Sequence, residues 1–464
     1  MHRVLITIYA LVMMAAMPAR AEGVSSFSLD NGLQVVVIED HRAPTIVQMI
    51  WYRAGAADEP PGKSGIAHFL EHLMFKGTDR FPAGALTRIV EENGGEDNAF
   101  TSWDYTGYYQ RIAADRLPLI MDMEADRMQN LHLDEETVRT ERQVILEERA
   151  QRTDSNPGAL LGEQINAALF LNNHYGIPVI GWRHEMQALT RQDALDWYKR
   201  YYAPNNATLI IAGDVDPDYV QKLAVKYYGA IPASKTITPR DRPQEPPPIA
   251  ARRVTYIDQR VSNPYIYRLY LAPPRRSGKQ DSAAALAMLA AILGGDGQTA
   301  YLARALQFDS HIAVQTSAYY SGTTVDDTMF GILVVPQPGI DLATAEKALD
   351  DALTAFLNEG IDPDALAREK TRFRANEIYR RDNARGLAQI YGEALSVGLS
   401  LQDVPGFSDA ISALTSQDVE DAARLVLDPK ASVTGWLVQP ESTSGQAAPP
   451  PENPVTIPDG MEAD

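Results

Sequence analysis

The stretch GIAHFLEHLMFKGT (residues 65–78) places two of the chain's eight histidines and one glutamate within five residues of an otherwise apolar segment. His68, Glu71 and His72 stand at positions i, i+3 and i+4, which share one face of an α-helix. The Pro/Gly-rich loop before them predicts that a helix begins here, with Ser64 as its N-cap. Two imidazoles one turn apart can hold a divalent cation, and a neighbouring carboxylate can take a proton from water. The arrangement is H-x-x-E-H, the reverse of H-E-x-x-H.

A zinc site that keeps one position open for chemistry needs a third protein ligand. The chain contains no cysteine, so a carboxylate is the natural candidate. The stretch TERQVILEER (residues 140–149) offers Glu141, Glu147 and Glu148. Glu141 and Glu148 share a helix face, whereas Glu147 points about 100° away. A solvated helix of mixed charge explains this run equally well, so spacing alone does not select the ligand.

Length, charge and the first residues set broad limits on the class of protein. A chain of 464 residues can form two to four domains, and its net charge of −19 argues against nucleic acid as a partner. Residues 1–21 combine a basic start, a short apolar run and small residues at a cleavage site, which predicts a signal peptide. An N-terminal membrane anchor is the alternative. We expect a periplasmic protein without stable membrane insertion once the leader is removed.

The chain repeats itself on either side of a Pro-rich linker, residues 232–250. ALTRQDALDWYKRYYAPNNATLII (residues 188–211) matches ALTSQDVEDAARLVLDPKASVTGW (residues 413–436) without gaps. Residues 65–77 likewise align with AAALAMLAAILGG (residues 283–295), where the partners of His68, Glu71 and His72 are Leu286, Leu289 and Ala290. One copy is an ordinary apolar helix, so the polar triplet of the other has a role beyond packing.

These patterns predict an α+β fold of two homologous α/β domains, each a mainly antiparallel sheet with helices packed on it. The predicted domains are residues 22–231 and 251–439, with a disordered tail at 440–464. NAFTSWDYTGYYQRI (residues 98–112) alternates and is rich in Thr and Tyr, which predicts a strand.

The chain resembles the insulinase/pitrilysin family of inverzincin metallopeptidases. HFLEH is followed, 76 residues after its last histidine, by a glutamate of ERQVILEE, and NAFTSWDYTGYY matches another family stretch. Within the family, the likeness is greatest to the branch of the mitochondrial processing peptidase and its bacterial relatives. It extends from about Ser26 to Pro440 and is stronger in the first half.

This resemblance implies a clam-shell half and a role for each motif residue. His68, His72 and Glu148 would be zinc ligands, Glu71 the general base and later proton donor, and Glu141 the carboxylate that orients a ligand histidine. The resemblance also implies an edge strand to which an extended peptide adds, formed by Asn98, Ala99 and Phe100.

The second half departs from the family pattern. Family members whose second half assists catalysis carry an Arg and a Tyr that are thought to hold the substrate carbonyl. Tyr301 and Val314 occupy those positions here, and Arg304 fits only with a gap. The departure predicts a heterodimer with a family member that carries the Arg/Tyr pair, a homodimer being the alternative.

The expected function is therefore that of a periplasmic zinc endopeptidase acting on extended peptides inside a chamber. Two alternatives stay open: a non-catalytic assembly subunit of the same family, and a metal-binding or metal-trafficking protein.

Overall fold

The computed structural model describes residues 23–440, which form two β-sheets with helices packed on them. The predicted leader and the tail after Pro440 lie outside the described residues. The strands are β1 (Val24–Ser28), β2 (Gln34–Glu39), β3 (Thr45–Tyr52), β4 (Glu96–Thr101), β5 (Thr106–Ala113), β6 (Ala207–Gly213), β7 (Arg252–Ile257), β8 (Tyr265–Ala272), β9 (Ala313–Tyr320), β10 (Thr328–Pro336) and β11 (Ser432–Val438).

Fourteen α-helices are found among the described residues, and none of them is long and apolar enough to cross a membrane. Those of the first half are α1 (Ile66–Leu73), α2 (Ala85–Glu92), α3 (Leu117–Asn130), α4 (Glu135–Arg149), α5 (Pro157–Leu169), α6 (Arg183–Ala188), α7 (Arg191–Tyr201) and α8 (Pro217–Tyr228). Those of the second half are α9 (Asp281–Gly294), α10 (Leu342–Glu359), α11 (Pro363–Arg381), α12 (Ala384–Ser396), α13 (Asp403–Ala413) and α14 (Ser416–Val426).

The two sheets share one strand order. The first runs β1-β2-β6-β3-β5-β4 and the second β7-β11-β8-β10-β9, so they correspond strand for strand once β1 is set aside. Each contains one parallel pair, β2 with β6 and β7 with β11, and is otherwise antiparallel. The predicted mainly antiparallel α+β architecture is confirmed.

The sequence repeat builds the same local structure twice. Thr190 caps α7 and Thr415 caps α14, each by accepting the N–H of an aspartate three residues on, whose carboxylate accepts the threonine N–H in return. A short 3₁₀ turn and then β6 or β11 follow each helix. The domain boundaries themselves stay a prediction.

Each half lends a helix to the sheet of the other half. Helix α12 covers the outer face of the first sheet, and α5 covers the corresponding face of the second. Both contacts are close enough to need glycine: a Cβ on Gly392 would lie 2.0 Å from Trp51, and one on Gly435 would lie 2.1 Å from Ile165. The two halves therefore share a continuous packed structure.

The single strand predicted over residues 98–112 is a hairpin, so that prediction is wrong. β4 and β5 are joined by a turn in which Ser102 N–H donates to the carbonyl of Tyr105. The turn forms because Asp104, which alternation would leave in the strand, is buried with Tyr175 and Arg242. A contact with residues far along the chain thus overrides the local pattern.

The Pro-rich residues 232–250 contain no regular element, yet an arginine anchors them between the halves. The guanidinium of Arg242 lies 2.8 Å from Asp58, 2.5 Å from Asp104 and 3.1 Å from Asp326. Asp58 and Asp104 belong to the first half, Asp326 belongs to the second, and Arg242 is buried. One buried guanidinium therefore contacts carboxylates of both halves at the seam.

Replacement of this cation should destabilise the whole chain. In Arg242→Ala the buried carboxylate of Asp104 loses its cation and Asp58 keeps only Arg240, at 3.3 Å, so we expect the free energy of unfolding to fall by about 3–5 kcal/mol. Chemical denaturation followed by circular dichroism measures the change. Lys347→Ala, which breaks an exposed ion pair with Asp351 on α10, is the control and should leave the transition in place. Equal, small effects of both substitutions would contradict the role of Arg242.

Candidate metal centre

Helix α1 begins at a cap that differs from the predicted one. Gly65 precedes the helix at φ 87°, a conformation that favours glycine. The buried carboxylate of Glu59 accepts the N–H groups of Gly65 and Ala67 at 2.8 and 2.9 Å. Ser64 instead accepts the N–H of Trp182 at 2.9 Å through its hydroxyl. The prediction of Ser64 as N-cap is wrong, because the helix begins after Gly65 and the carboxylate of Glu59, six residues before Gly65, accepts the N–H groups instead.

The two histidines of α1 face a glutamate of α4. His68 Nε2 lies 3.7 Å and His72 Nε2 lies 3.4 Å from Glu148 Oε2. One donor atom from each of the three residues lies within 4.8 Å of the others, and no second group of three such donors occurs within residues 23–440. Zinc bonds of about 2.0–2.2 Å in tetrahedral geometry separate ligand atoms by about 3.4 Å. The group therefore has the dimensions of one zinc site.

The chemistry of these donors also fits a metal ion. Glu148 Oε2 is buried and accepts no hydrogen bond, although it faces both imidazoles. Burial, assisted by His72, lowers the pKa of His68 to about 4, so this imidazole is neutral near pH 7. Burial acts in the same direction on His72, but Glu141 and Glu148 outweigh it and raise its pKa to about 9. A cation bound here would displace that proton.

Three basic residues hold the carboxylates of α4 in place. His72 Nδ1 lies 3.0 Å from Glu141 Oε1, and Lys76 Nζ lies 2.5 Å from Glu141 Oε2. Burial raises the pKa of Glu141, but His72 and Lys76 together hold it below its ordinary value. Arg152, in a π-helical turn that follows α4, lies 2.9 Å from Glu148 Oε1. The other oxygen, Oε2, is thereby left facing the histidines.

Glu71 lies beside the three donors without joining them. It is buried, and the hydroxyl of Thr101 at the end of β4 donates to its Oε2 at 2.5 Å. Burial raises the pKa of Glu71 to about 7, although the Thr101 hydrogen bond and His72 oppose the shift. A carboxylate of such pKa can accept and release a proton near neutral pH.

Strand β4 forms an edge of the first sheet beside this site, and its three predicted binding residues differ in what they expose. Ser102 and Tyr105 form a hydrogen-bonded pair, and such pairs recur at every second residue of an antiparallel ladder. The backbone groups of Phe100 and Asn98 therefore point to β5. Those of Ala99 and Thr101 point outward. The Asn98 side chain accepts the Ala99 N–H at 2.9 Å. The Phe100 ring packs 4.8 Å from Trp51 on the far face.

Sequence reasoning missed three residues that the structure brings to the site: Thr101, Lys76 and Arg152. Lys76 and Arg152 could have been found from the sequence, since they follow His72 and Glu148 by four positions, which is the spacing of neighbouring side chains on one helix face. No local spacing predicts the contact of Thr101 with Glu71, which joins residues thirty positions apart.

The residues that stand where the family carries its Arg/Tyr pair lie in the second half. The Tyr301 ring packs 4.9 Å from Phe356, in the second core. Val314 is exposed on β9, and Arg304 is exposed on a π-helical turn.

Removal of the carboxylate behind His72 should weaken metal binding without abolishing it. We expect Glu141→Gln to raise the zinc dissociation constant about 10–100-fold, because His72 exchanges a charged acceptor for a neutral amide oxygen that holds its ring less firmly. Glu148→Gln should remove a ligand and weaken binding further. Competition with a chromogenic chelator measures both. Glu147→Gln is the matched control, since Glu147 is exposed on α4 and bonded to Gln143. Equal zinc affinity in all three variants would rule out this arrangement.

Comparisons with known proteins agree with this geometry. The family "Insulinase (Peptidase family M16)" matches residues 34–182, and "Peptidase M16 inactive domain" matches residues 188–373. The zinc protease PqqE of Helicobacter pylori is 28% identical over 403 residues, which cover 86% of this chain and 88% of the relative. The probable mitochondrial-processing peptidase subunit beta of Arabidopsis thaliana is 30% identical over 231 residues, 50% of this chain and 43% of the relative.

A solved structure shows the same fold. The crystal structure of a protease from Helicobacter pylori superimposes with a TM-score of 0.84 at 27% sequence identity, covering 91% of this chain and 100% of that chain. The predicted resemblance is confirmed by the family matches, the relatives and this structure together. The chain belongs to the insulinase family of peptidases, peptidase family M16.

Proposed function

We propose that this chain is a zinc-dependent endopeptidase that hydrolyses extended peptides. The observation that carries the proposal is the group of His68, His72 and Glu148, with donor atoms within 4.8 Å, next to the buried carboxylate of Glu71. Three ligands leave one tetrahedral position for the reaction, and a separate carboxylate serves as base. The zinc proteases among its relatives support the same reading of the site.

The mechanism follows from the positions of these side chains. Held by His68, His72 and Glu148, a zinc ion would polarise the scissile carbonyl and acidify the attacking water. Thr101 occupies Oε2 of Glu71, which leaves Oε1 to accept the proton of that water. Glu71 then passes this proton to the nitrogen of the leaving amine. The open edge of β4 would bind the peptide as an added strand.

The proposed setting is the periplasm, reached through the leader predicted at residues 1–21. We further propose a two-chain enzyme, in which a second family member supplies the Arg/Tyr pair across the chamber. Tyr301 and Val314 support this arrangement, since a packed phenol and an exposed valine stand at the expected positions of that pair.

Hydrolysis of a quenched-fluorescence peptide library by the zinc-loaded chain tests the proposal. We expect Glu71→Gln to keep its zinc and lower kcat/KM by about 10²–10⁴-fold, because only the proton transfer is lost. Turnover by the purified chain alone would contradict the need for a partner. Zinc binding without turnover, even after addition of a chain that carries the Arg/Tyr pair, would instead favour a non-catalytic subunit.

The activity should fall in acid because Glu71 acts as a base only when ionised. Burial raises the pKa of this carboxyl to about 7, and a bound cation opposes the shift, so we expect an acid limb with a pKa of at most about 7. Thr101→Val removes a hydrogen bond that favours the ionised form and should move the limb to higher pH. A profile of kcat/KM against pH measures it, and an unmoved limb in Thr101→Val would contradict this role for Thr101.

A further inference from the structure

The open edge of β4 presents its backbone and side chains in a fixed alternation. Asp97, Ala99 and Thr101 are the residues whose N–H and C=O groups point away from β5. The side chains of the same residues face the α1 and α2 side of the sheet, as the bonds of Thr101 to Glu71 and of Asp97 to Thr87 show. At every second residue, the backbone groups that are free to bind a peptide and a side chain on the α1 and α2 side therefore belong to the same residue.

A peptide added to this edge inherits the alternation. Its residues opposite Thr101, Ala99 and Asp97 would form the hydrogen-bonded pairs, and their side chains would point to the α1 and α2 side. Thr101 marks the reaction end because it contacts Glu71. In an antiparallel addition, which is the more stable pairing, the peptide residue opposite Asp97 follows the one opposite Thr101 by four positions, about 13 Å along the strand.

The Asp97 carboxylate has no ion-pair partner among the described residues. It accepts one hydrogen bond, from the Thr87 hydroxyl at 2.8 Å, and no Lys or Arg of the described chain forms an ion pair with it. Burial raises the pKa of Asp97 and the charge of Glu91 acts in the same direction, although the Thr87 hydrogen bond and the charge of Arg127, which lies beyond ion-pair distance, oppose the shift. A positive charge brought by a ligand would stabilise the ionised carboxylate.

The preceding residue has the opposite surroundings. Glu96 faces the other side of β4, where Arg385 lies 3.9 Å from its carboxylate. Glu96 also belongs to a pair whose backbone groups point to β5. The two adjacent carboxylates of β4 therefore differ: one already has a cation nearby, and the other stands at a position where substrate would lie.

We propose that Asp97 selects a lysine or arginine side chain of the substrate. The substrates are thus extended peptides with a basic residue at one fixed place on the carboxyl side of the scissile bond, four positions after the residue that faces Thr101. The inference rests on the proposed peptidase function and on strand addition at β4. Asp97 acts as a specificity residue and takes no part in the bond-breaking step.

The test is a set of peptides that differ only by Lys, Gln or Glu at successive positions, with cleavage sites assigned by mass spectrometry. For the zinc-loaded enzyme, with its partner chain if one is required, we expect kcat/KM to be about tenfold higher for Lys than for Gln at one position after the cleaved bond. Asp97→Asn should bring this ratio close to one, and Asp97→Lys should favour Glu. Glu96→Gln is the matched control and should keep the preference for Lys.

Binding separates this inference from the proposed function. Fluorescence anisotropy with the zinc-loaded Glu71→Gln chain measures the affinity for the same peptides without turnover. A Lys preference in binding, lost in the Asp97→Asn double variant, supports the inference even if the wild-type chain cleaves nothing. Three results would overturn the inference. These are no preference for Lys, a preference that Asp97→Asn leaves unchanged, and a preference on the amino side of the scissile bond.

Discussion

The metal centre depends on the register in which α4 packs beside α1. Glu148 faces both histidines, while Glu141, two turns earlier on the same face, reaches the other nitrogen of His72. A rotation of α4 by one residue, about 100°, would replace Glu148 with Glu147 and destroy both contacts. The buried guanidinium of Arg149 prevents this, because it is fixed by Glu163 at 2.7 Å and by the carbonyl of Gly181 at 2.9 Å.

The duplicated half shows what the fold requires without a metal centre. In α9 the positions that match the motif are Leu286, Leu289 and Ala290, all buried in the second core. An apolar helix therefore satisfies the fold, and the polar residues of α1 add a desolvation cost that hydrogen bonds must offset. Thr101 provides such a bond for Glu71, and Glu141 provides one for His72. The partners that position the site are thus also what makes a polar α1 tolerable within a buried layer.

Much of this arrangement could be predicted from the sequence, because its strongest signals are local or repeated. The spacing of His68 and His72 within one helix, the gap-free repeat around Thr190 and Thr415, and the alternation of apolar residues each depend on neighbouring positions. The choice among Glu141, Glu147 and Glu148 could not be made from spacing, since it needed the family resemblance. The capping of α1 by Glu59 and the turn at Asp104 were missed, because both depend on burial against residues distant in sequence.

The edge strand combines two requirements that usually conflict. An exposed row of backbone groups invites pairing with any other strand, and proteins commonly cover it or charge it. A covered edge could not bind a peptide, so β4 has only six residues, carries Glu96 and Asp97, and bonds the Ala99 N–H to the Asn98 side chain. A suitable peptide can overcome the last two features: the Asn98 amide can rotate away, and a positive charge on the peptide can neutralise a carboxylate. A peptide that displaces the Asn98 side chain and brings a cation to Asp97 could therefore pair with β4. The Asn98 hydrogen bond and the Asp97 charge thus hinder unspecific pairing and select the peptides that do bind.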